Sequence, residues 1–270
     1  MKDPNFNYFL QLQFCFYCIF IIKKNIMENN FRKTNIDNIQ YDSVVTQKNL
    51  LATVFAWMFA GMVITTVTSL SFAYIPSLLD LMLTQGEDGM VHKSMLGHII
   101  TFAPLLLLIG MGAGFRKLPY IGVAALFLGF SALFGISMSY IFIIYQVGSI
   151  LNIFLSTCAL FGVMAGVGYF TKTDLTKLGS ILMIGVVGIF IASLINYFMH
   201  SAQMGYIISV IAVIIFTGLT AYDMQKIKNM LAENDGSDSF KKLAVMGALS
   251  LYLDFINLFL SLLNIFGKRN

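Results

Sequence analysis

The feature that most constrains this chain is a series of long apolar stretches separated by short polar connectors. Seven stretches contain the roughly 20 predominantly apolar residues that a helix needs to cross a bilayer. They cover residues 50–74, 95–115, 118–144, 148–170, 178–199, 204–223 and 243–266. The connectors are too short to enclose a hydrophobic core of their own. The sequence therefore predicts an all-α, polytopic membrane protein with seven transmembrane helices.

Composition excludes the main alternatives. Only 11% of the 270 residues are charged, against roughly 25% in ordinary soluble domains. With 58% hydrophobic residues, the chain cannot be an ordinary soluble enzyme, a disordered chain or a nucleic-acid-binding protein. Three cysteines are too few for a disulfide-rich scaffold. The sequence lacks the motif GxxxxGK[ST], so ATP-driven transport is not supported, and no enzymatic activity or cofactor is expected.

The distribution of lysine and arginine predicts the orientation. Most of the 17 basic residues fall in connectors on one side, and such connectors usually face the cytoplasm. Residues 23–49 are therefore predicted to be cytoplasmic and the C-terminus to lie outside, although Lys268 and Arg269 weakly oppose that placement. The expected location is a bacterial inner membrane, with the N-terminus in the cytoplasm and the lipid bilayer as a partner.

The chain divides into two parts. Residues 43–270 are predicted to form the seven-helix membrane domain, and residues 1–42 an N-terminal extension and cytoplasmic tail. Phe14 to Ile22 is apolar but short. Three interpretations of residues 1–26 therefore stay open: a marginal extra span, an interfacial anchor, or sequence upstream of a true start at Met27.

Small residues recur at four-residue spacing within several spans. The sets are Gly110 with Gly114, Gly162 with Gly166, and Ser131 with Gly135 and Ser139. In lipid, small residues allow helix backbones to approach closely. All three sets are therefore predicted to be packing positions rather than a site.

Two acidic residues lie inside or at the end of predicted spans. Asp223 ends the sixth span, and Asp254 lies near the middle of the seventh. An ionisable residue within a membrane is costly, usually faces the bundle interior, and is a functional candidate by default. Asp223 also has an interfacial interpretation, because Lys226 and Lys228 follow it closely.

Asp254 belongs to a polar stripe on the last span. Its members are spaced three and four residues apart, which places them on one helix face. They are Gly247, Ser250, Asp254, Asn257, Ser261 and Asn264. Lipid cannot satisfy such a stripe, so protein or water must cover it. It is either a set of interhelical hydrogen bonds or a hydrophilic path that contains one carboxylate.

The two aspartates can meet if the sixth helix continues through Lys226 and the seventh begins somewhat after residue 243. Adjacent carboxylates share a proton and titrate as a unit, so the pair would hold a proton at low pH and a cation at high pH. Calcium takes about six to eight oxygen ligands. Two carboxylates with Ser250, Asn257, carbonyls or waters would offer a weak site, which suits conduction because the ion must also leave.

Several segments resemble the Bax inhibitor-1 (transmembrane Bax inhibitor motif) family. The most specific are FTGLTAYDMQKIK and LYLDFINLFLSLL, followed by Gly267. NLLATVFAWMFAGMVIT, FGISMSYI and FGVMAGVGYFTKTDLTKLGSIL are similar to other parts of the family. The similarity covers about residues 43–267.

This resemblance implies a seven-helix bundle in which the last helix is central and six others surround it. It also implies a pH-sensitive calcium leak, as in bacterial members, with calcium as the transported ion. Asp223 and Asp254 match by motif the family's proton-sensing pair and are tentative calcium ligands. The family has an arginine on its second helix that engages the pair in the closed state, and Arg116 is the candidate by topology alone.

Two other functions are weighed against the leak pathway. Some family members restrain a membrane-bound AAA protease, and eukaryotic relatives are linked to suppression of cell death. An interaction role of this kind would survive neutralisation of both aspartates. Tyr222-Asp223 also resembles the YD motif of intramembrane aspartyl proteases, but Asp254 lacks their GxGD setting and no Pro-Ala-Leu element follows.

Overall fold

A computed structural model describes residues 44–85, 91–114, 118–232 and 238–270. Its helices are α1 (Val44–Tyr74), α2 (Pro76–Met82), α3 (Met95–Gly114), α4 (Tyr120–Met138), α5 (Tyr140–Ile144), α6 (Val147–Phe170), α7 (Thr176–Met199), α8 (Ala202–Ala232) and α9 (Asp238–Phe266). Strands β1 (Leu83–Gln85) and β2 (Val91–Lys93) pair antiparallel between α2 and α3. The helical architecture is as predicted, whereas α2 and the two strands occupy a segment expected to be a plain connector.

Six helical stretches within these ranges are long and apolar enough to cross a membrane. They are α1, the continuous stretch of α4 and α5, and each helix from α6 to α9. The predicted second span forms α3, and the apolar run described for it is Met95–Leu108. The protein is therefore a multi-pass membrane protein, and a total of seven spans stays a prediction.

Helix α9 forms the centre of the bundle. In its apolar stretch 89% of the residues are buried, against 22–50% in the other five. Every residue from Ala244 to Ser261 is buried, on the polar stripe as far as Ser261 and on the opposite leucine-rich face alike. The helix packs against α8, α1, α6 and α4. This arrangement agrees with the central last helix that the family resemblance implies.

Helices α3 and α7 lie at the periphery. Helix α7 packs mainly on α8, and α3 packs mainly on α4. Large apolar side chains of α7, such as Ile184 and Phe198, are about three-quarters exposed. Lipid tails cover such side chains at no cost, so these faces fit a membrane environment.

The glycines at close helix contacts are mostly not the predicted ones. A Cβ at Gly135 would collide with the backbone of Thr65 on α1, which agrees with the prediction for that residue. A Cβ at Gly110, Gly162 or Gly166 would meet no atom within 4 Å in the described part of the chain. The packing predicted for both GxxxG pairs is therefore wrong at these three glycines, because their faces of α3 and α6 point away from neighbouring helices.

The C-terminal residues pair with the turn between α5 and α6. The backbone N–H of Asn270 donates to the carbonyl of Ile144 over 2.8 Å, and Tyr145 and Arg269 form an antiparallel bridge. The Arg269 guanidinium lies 5.7 Å from the centre of the Tyr145 ring. Burial raises the pKa of the Tyr145 hydroxyl, and the positive charge of Arg269 partly offsets that rise. The tail therefore fastens the end of α9 to its neighbours.

Candidate functional site

Helices α8 and α9 run antiparallel, and two polar contacts fix their register. Close to the middle of α9, the Ser250 hydroxyl donates a hydrogen bond to Oδ2 of Asp223. Near its end, the Asn264 amide donates to Oγ of Ser209 over 2.7 Å. We name these contacts the carboxylate junction and the amide junction. They show that the polar stripe of α9 faces α8 over most of its length.

The stripe is covered by protein. Ser250, Asp254, Asn257 and Ser261 are all buried, and Asp254 is only 1% exposed. Asn264 is half-buried. Protein rather than lipid therefore surrounds the carboxylate of Asp254, as expected for an ionisable residue in a membrane span.

The structure brings Asp223 to the stripe through Ser250. Helix α8 continues to Ala232, past Lys226, as the predicted meeting required. Helix α9 begins at Asp238, before residue 243, so the second condition for that meeting is not fulfilled. The contact shown for Asp223 is with Ser250, one turn before Asp254, and a direct meeting of the two carboxylates stays a prediction.

The middle of the stripe is not explained by interhelical hydrogen bonds. The Asn257 amide donates to the carbonyl of Leu253 over 2.8 Å, and Ser261 donates to the backbone carbonyl of Asn257 over 2.7 Å. Both bonds stay within α9. Within the described ranges, the buried Oδ1 of Asn257 accepts no hydrogen bond. A buried acceptor left unsatisfied costs about 1–3 kcal/mol, which favours a polar site over simple packing.

The available ligands suit weak cation binding. Among the residues that the structure describes, no group of three or more His, Cys, Asp or Glu side chains could hold a metal. A cation near Asp223 and Asp254 would depend on their carboxylates and on neutral oxygens, such as those of Ser250 and Asn257. Hard oxygen ligands of this kind match calcium, but they do not form a closed structural site.

Tyr252 occupies another side of α9. Its hydroxyl lies 2.7 Å from Oγ1 of Thr65 on α1. The rings of Phe127, Phe130 and Phe134 on α4 meet the Tyr252 ring edge-to-face, with centroids 5.9–6.3 Å apart. This side of α9 is aromatic and closely packed. The polar stripe lies on a different side, between α9 and α8. Sequence analysis missed this contact because nothing in the LYLDF motif identifies the partner.

Gln225 is a second residue that sequence analysis missed. Its Oε1 accepts a hydrogen bond from the backbone N–H of Leu175, and its Nε2 donates to the carbonyl of Thr173, each over 2.8 Å. Both partners lie in the turn between α6 and α7. Gln225 is close to Asp223 in the AYDMQK motif, but its partners are some 50 residues away, and no local signal identifies them.

Some predicted residues lie outside the described ranges. Arg116, the candidate latch, is one of them, so its engagement with the aspartates stays a prediction. The same holds for residues 1–42, including the apolar segment from Phe14 to Ile22.

Comparison with known proteins covers almost the whole described chain. The family model described as "Inhibitor of apoptosis-promoting Bax1" matches residues 47–270. The "Inner membrane protein YbhL" of Escherichia coli K12 is 39% identical over 234 residues, which cover 84% of this chain and 97% of the relative. An uncharacterized protein of Borreliella burgdorferi is 39% identical over 241 residues, covering 87% and 98%. The uncharacterized protein RP147 of Rickettsia prowazekii is 36% identical over 216 residues, covering 80% and 88%.

Proposed function

The chain belongs to the Bax inhibitor-1 family, and we propose that it forms a pH-sensitive calcium leak pathway in a bacterial inner membrane. One observation carries the proposal: α9 holds a buried polar stripe that contains Asp254 and receives Asp223 at the carboxylate junction. The name of the YbhL relative and the six apolar helices support the location.

The proposed mechanism depends on the protonation of the aspartate pair. When both carboxylates are ionised, they attract a calcium ion into the seam between α8 and α9, where Ser250 and Asn257 add neutral oxygens. Protonation removes the negative charge and weakens that attraction. Two like charges in a protected setting also oppose each other, so the pair takes up protons as a unit. Cation occupancy, and with it the leak, therefore varies with pH.

The buried amide oxygen of Asn257 favours the interpretation of the stripe as an ion path and not as a set of contacts that only join helices. A stripe that only joined helices would satisfy its polar atoms in interhelical hydrogen bonds. The two junctions do so, but Oδ1 of Asn257 accepts no hydrogen bond from the described residues. An oxygen of this kind, one turn beyond Asp254, suits brief contact with a passing ion.

Calcium flux into proteoliposomes across a pH series tests the proposal. The wild type is compared with Asp223→Asn and Asp254→Asn, each of which keeps the size of the side chain and removes its charge. Asp80→Asn is the matched control because Asp80 is exposed on α2, away from both junctions. We expect both site variants to lose the pH dependence of the flux and the control to retain it.

Absence of flux in the wild type, or the same pH-dependent flux in all four proteins, would overturn this proposal. Either result would instead favour the alternative proposal, in which the protein modulates a membrane-bound AAA protease or a stress response through partner contacts. That role does not depend on the charge of Asp223 and Asp254. Co-purification of a membrane protease with the double variant would then be the next measurement.

A further inference from the structure

The two junctions define the register of α8 against α9 along the whole seam between these helices. Asp223 meets Ser250 at one end of the seam, and Ser209 meets Asn264 at the other. The interval between the junctions contains the same number of residues on both helices. Because antiparallel helices rise equally per residue, each residue of α8 in this interval lies at the level of a definite residue of α9.

The face of α8 that turns towards the polar stripe becomes apolar between the junctions. Spacings of three and four residues continue the face that carries Ser209 and Asp223. The side chains at these positions are Ala212, Phe216 and Leu219, and all three are buried. The hydroxyl of the neighbouring Thr220 donates to the Phe216 carbonyl over 2.8 Å, within α8 itself. One side of the seam is therefore polar and the other is mainly apolar.

Phe216 and Asn257 occupy the midpoint of the seam. Each lies seven residues, nearly two full turns, from both junction residues of its own helix. The register therefore places the two residues at the same level, about 10 Å from either junction. Both residues are 0% exposed. A phenyl ring has no N–H or O–H donor, which explains why the Oδ1 atom of Asn257 accepts no hydrogen bond from the described residues.

The Phe216 ring divides the polar stripe into two parts. Ser250 and Asp254 lie towards the carboxylate junction, and Ser261 lies towards the amide junction. An apolar constriction stops ions because it excludes the water that surrounds them. The burial of Phe216 and Asn257 shows that the seam is closed at this level in the structure.

We propose that Phe216 is an apolar gate that closes the seam between α8 and α9. Its ring separates the carboxylate end of the path from the amide end, and an ion passes only when the ring leaves this position. The inference rests on the proposed function. It adds the barrier that keeps the path closed, and it does not depend on the charge of any residue.

Phe161 of α6 is the matched comparison for Phe216. It is also a buried phenylalanine that packs on α9, with its ring centroid 5.5 Å from that of Phe255. Phe255 follows Asp254 directly, so it points about 100° away from the carboxylate around the helix. Phe161 therefore fills the core beside α9 without lying in the seam. A residue that only fills space should behave like Phe161 in the tests below.

The first test measures the access of water to the seam and does not require transport. Cys15, Cys18 and Cys158 are changed to alanine, and Asn257→Cys supplies a single thiol at the level of Phe216. The full-length protein in detergent is then treated with a positively charged, water-soluble methanethiosulfonate reagent. The thiolate is the nucleophile, and burial in apolar surroundings keeps a thiol protonated. A closed seam therefore gives slow modification.

Removal of the Phe216 ring should accelerate this modification. We expect Phe216→Ala to raise the rate about tenfold, because water and reagent then reach the thiol. Phe216→Met, which restores an apolar side chain of similar volume, should return most of the block. Phe161→Ala should leave the rate within about twofold of the parent. Truncation of a buried phenylalanine is destabilising, so Phe216→Val, a smaller truncation, is measured beside it and should give an intermediate rate.

Two results of the first test would overturn the inference. One is a rate that neither Phe216→Ala nor Phe216→Val changes. The other is an equal increase in Phe161→Ala, because any cavity beside α9 would then admit the reagent.

The second test is calcium flux into proteoliposomes at a single pH, with Asn257 and the natural cysteines in place. We expect Phe216→Ala to raise the flux about tenfold, because the apolar barrier is lost, and Phe161→Ala to leave it unchanged. A wild type that carries calcium together with an unchanged or lower flux in Phe216→Ala overturns the gate and leaves the proposed function intact. If neither protein carries calcium, the proposed function fails, and the rate of thiol modification alone decides whether Phe216 closes the seam.

Discussion

The carboxylate junction and the amide junction join the same two helices in the same register, yet they differ in chemistry. At the amide junction, Asn264 donates to Ser209, and neither side chain changes its charge in the range of biological pH. At the carboxylate junction, Ser250 donates to the carboxyl group of Asp223. The α8–α9 pair is thus joined by a contact between two neutral side chains at one end and by a contact to an acidic side chain at the other.

The contacts that surround the two junctions also differ. Near the carboxylate junction, α8 is held by Gln225 and by the close approach of Gly168 to Ala221. Near the amide junction, the C-terminal tail is paired with the α5–α6 turn, and His200 ends α7 in a left-handed conformation with φ of 54°. Side-chain contacts to the α6–α7 turn therefore support α8 at the carboxylate end.

The largest effect on this comparison is expected from Gly168→Ala. The added Cβ collides with the Ala221 carbonyl and separates α6 from α8 beside the carboxylate junction. We expect a loss of about 3 kcal/mol in the free energy of unfolding, because overpacking against backbone relaxes poorly. Thermal unfolding in detergent measures it. Gly166→Ala, two residues away and without neighbours within 4 Å in the described chain, should be neutral, and equal effects would contradict the assignment.

Ser250→Ala should have the next largest effect. The substitution removes a donor from the carboxyl group of Asp223, and hydrogen bonds to charged groups are roughly twice as strong as neutral ones. We expect a loss of about 2 kcal/mol in the free energy of unfolding. Thermal unfolding in detergent measures it, and a loss no larger than that of Asn264→Ala would remove the distinction between the junctions.

Asn264→Ala should have a smaller effect. Interhelical hydrogen bonds between neutral groups in membranes contribute about 0.6 kcal/mol on average. Ser209 keeps its own bond to the Gly205 carbonyl, so little is left unsatisfied. The same unfolding assay applies, and a loss as large as that of Ser250→Ala would contradict the weaker contact assigned to the amide junction.

The smallest effect, and a stabilising one, is expected from His200→Gly. A positive φ is unfavourable for a residue with a Cβ and costs glycine little. Relief of that conformation, offset by the greater freedom of glycine in the unfolded chain, should raise the free energy of unfolding by about 0.5 kcal/mol. His98→Gly, in helical backbone of α3, is the control and should destabilise. A loss of stability in His200→Gly would show that the imidazole contacts outweigh the backbone.

Sequence analysis anticipated the polar stripe better than the contacts that surround it. The stripe follows from a spacing rule within one helix, and burial of Asp254 follows from the cost of a charge in lipid. The contact of Ser250 with Asp223 depends on the register of α8 against α9. The residue at which α9 starts does not determine that register. The contacts of Gln225 and of Gly168 are made with residues about 50 positions away in the sequence. Composition shows that small residues permit close packing, but only the arrangement of helices decides which glycines are used.

The central place of α9 has a consequence for how the protein is made. The ribosome makes this segment after the other described helices, so those helices enter the bilayer before their hub exists. The span that carries the buried polar stripe is then the one that arrives when the other helices are already present to cover it. A stop codon ahead of residue 238 would leave helices that individually span the membrane but have no shared centre to pack against. Assembly of the bundle should therefore be completed only at the step when α9 takes its place.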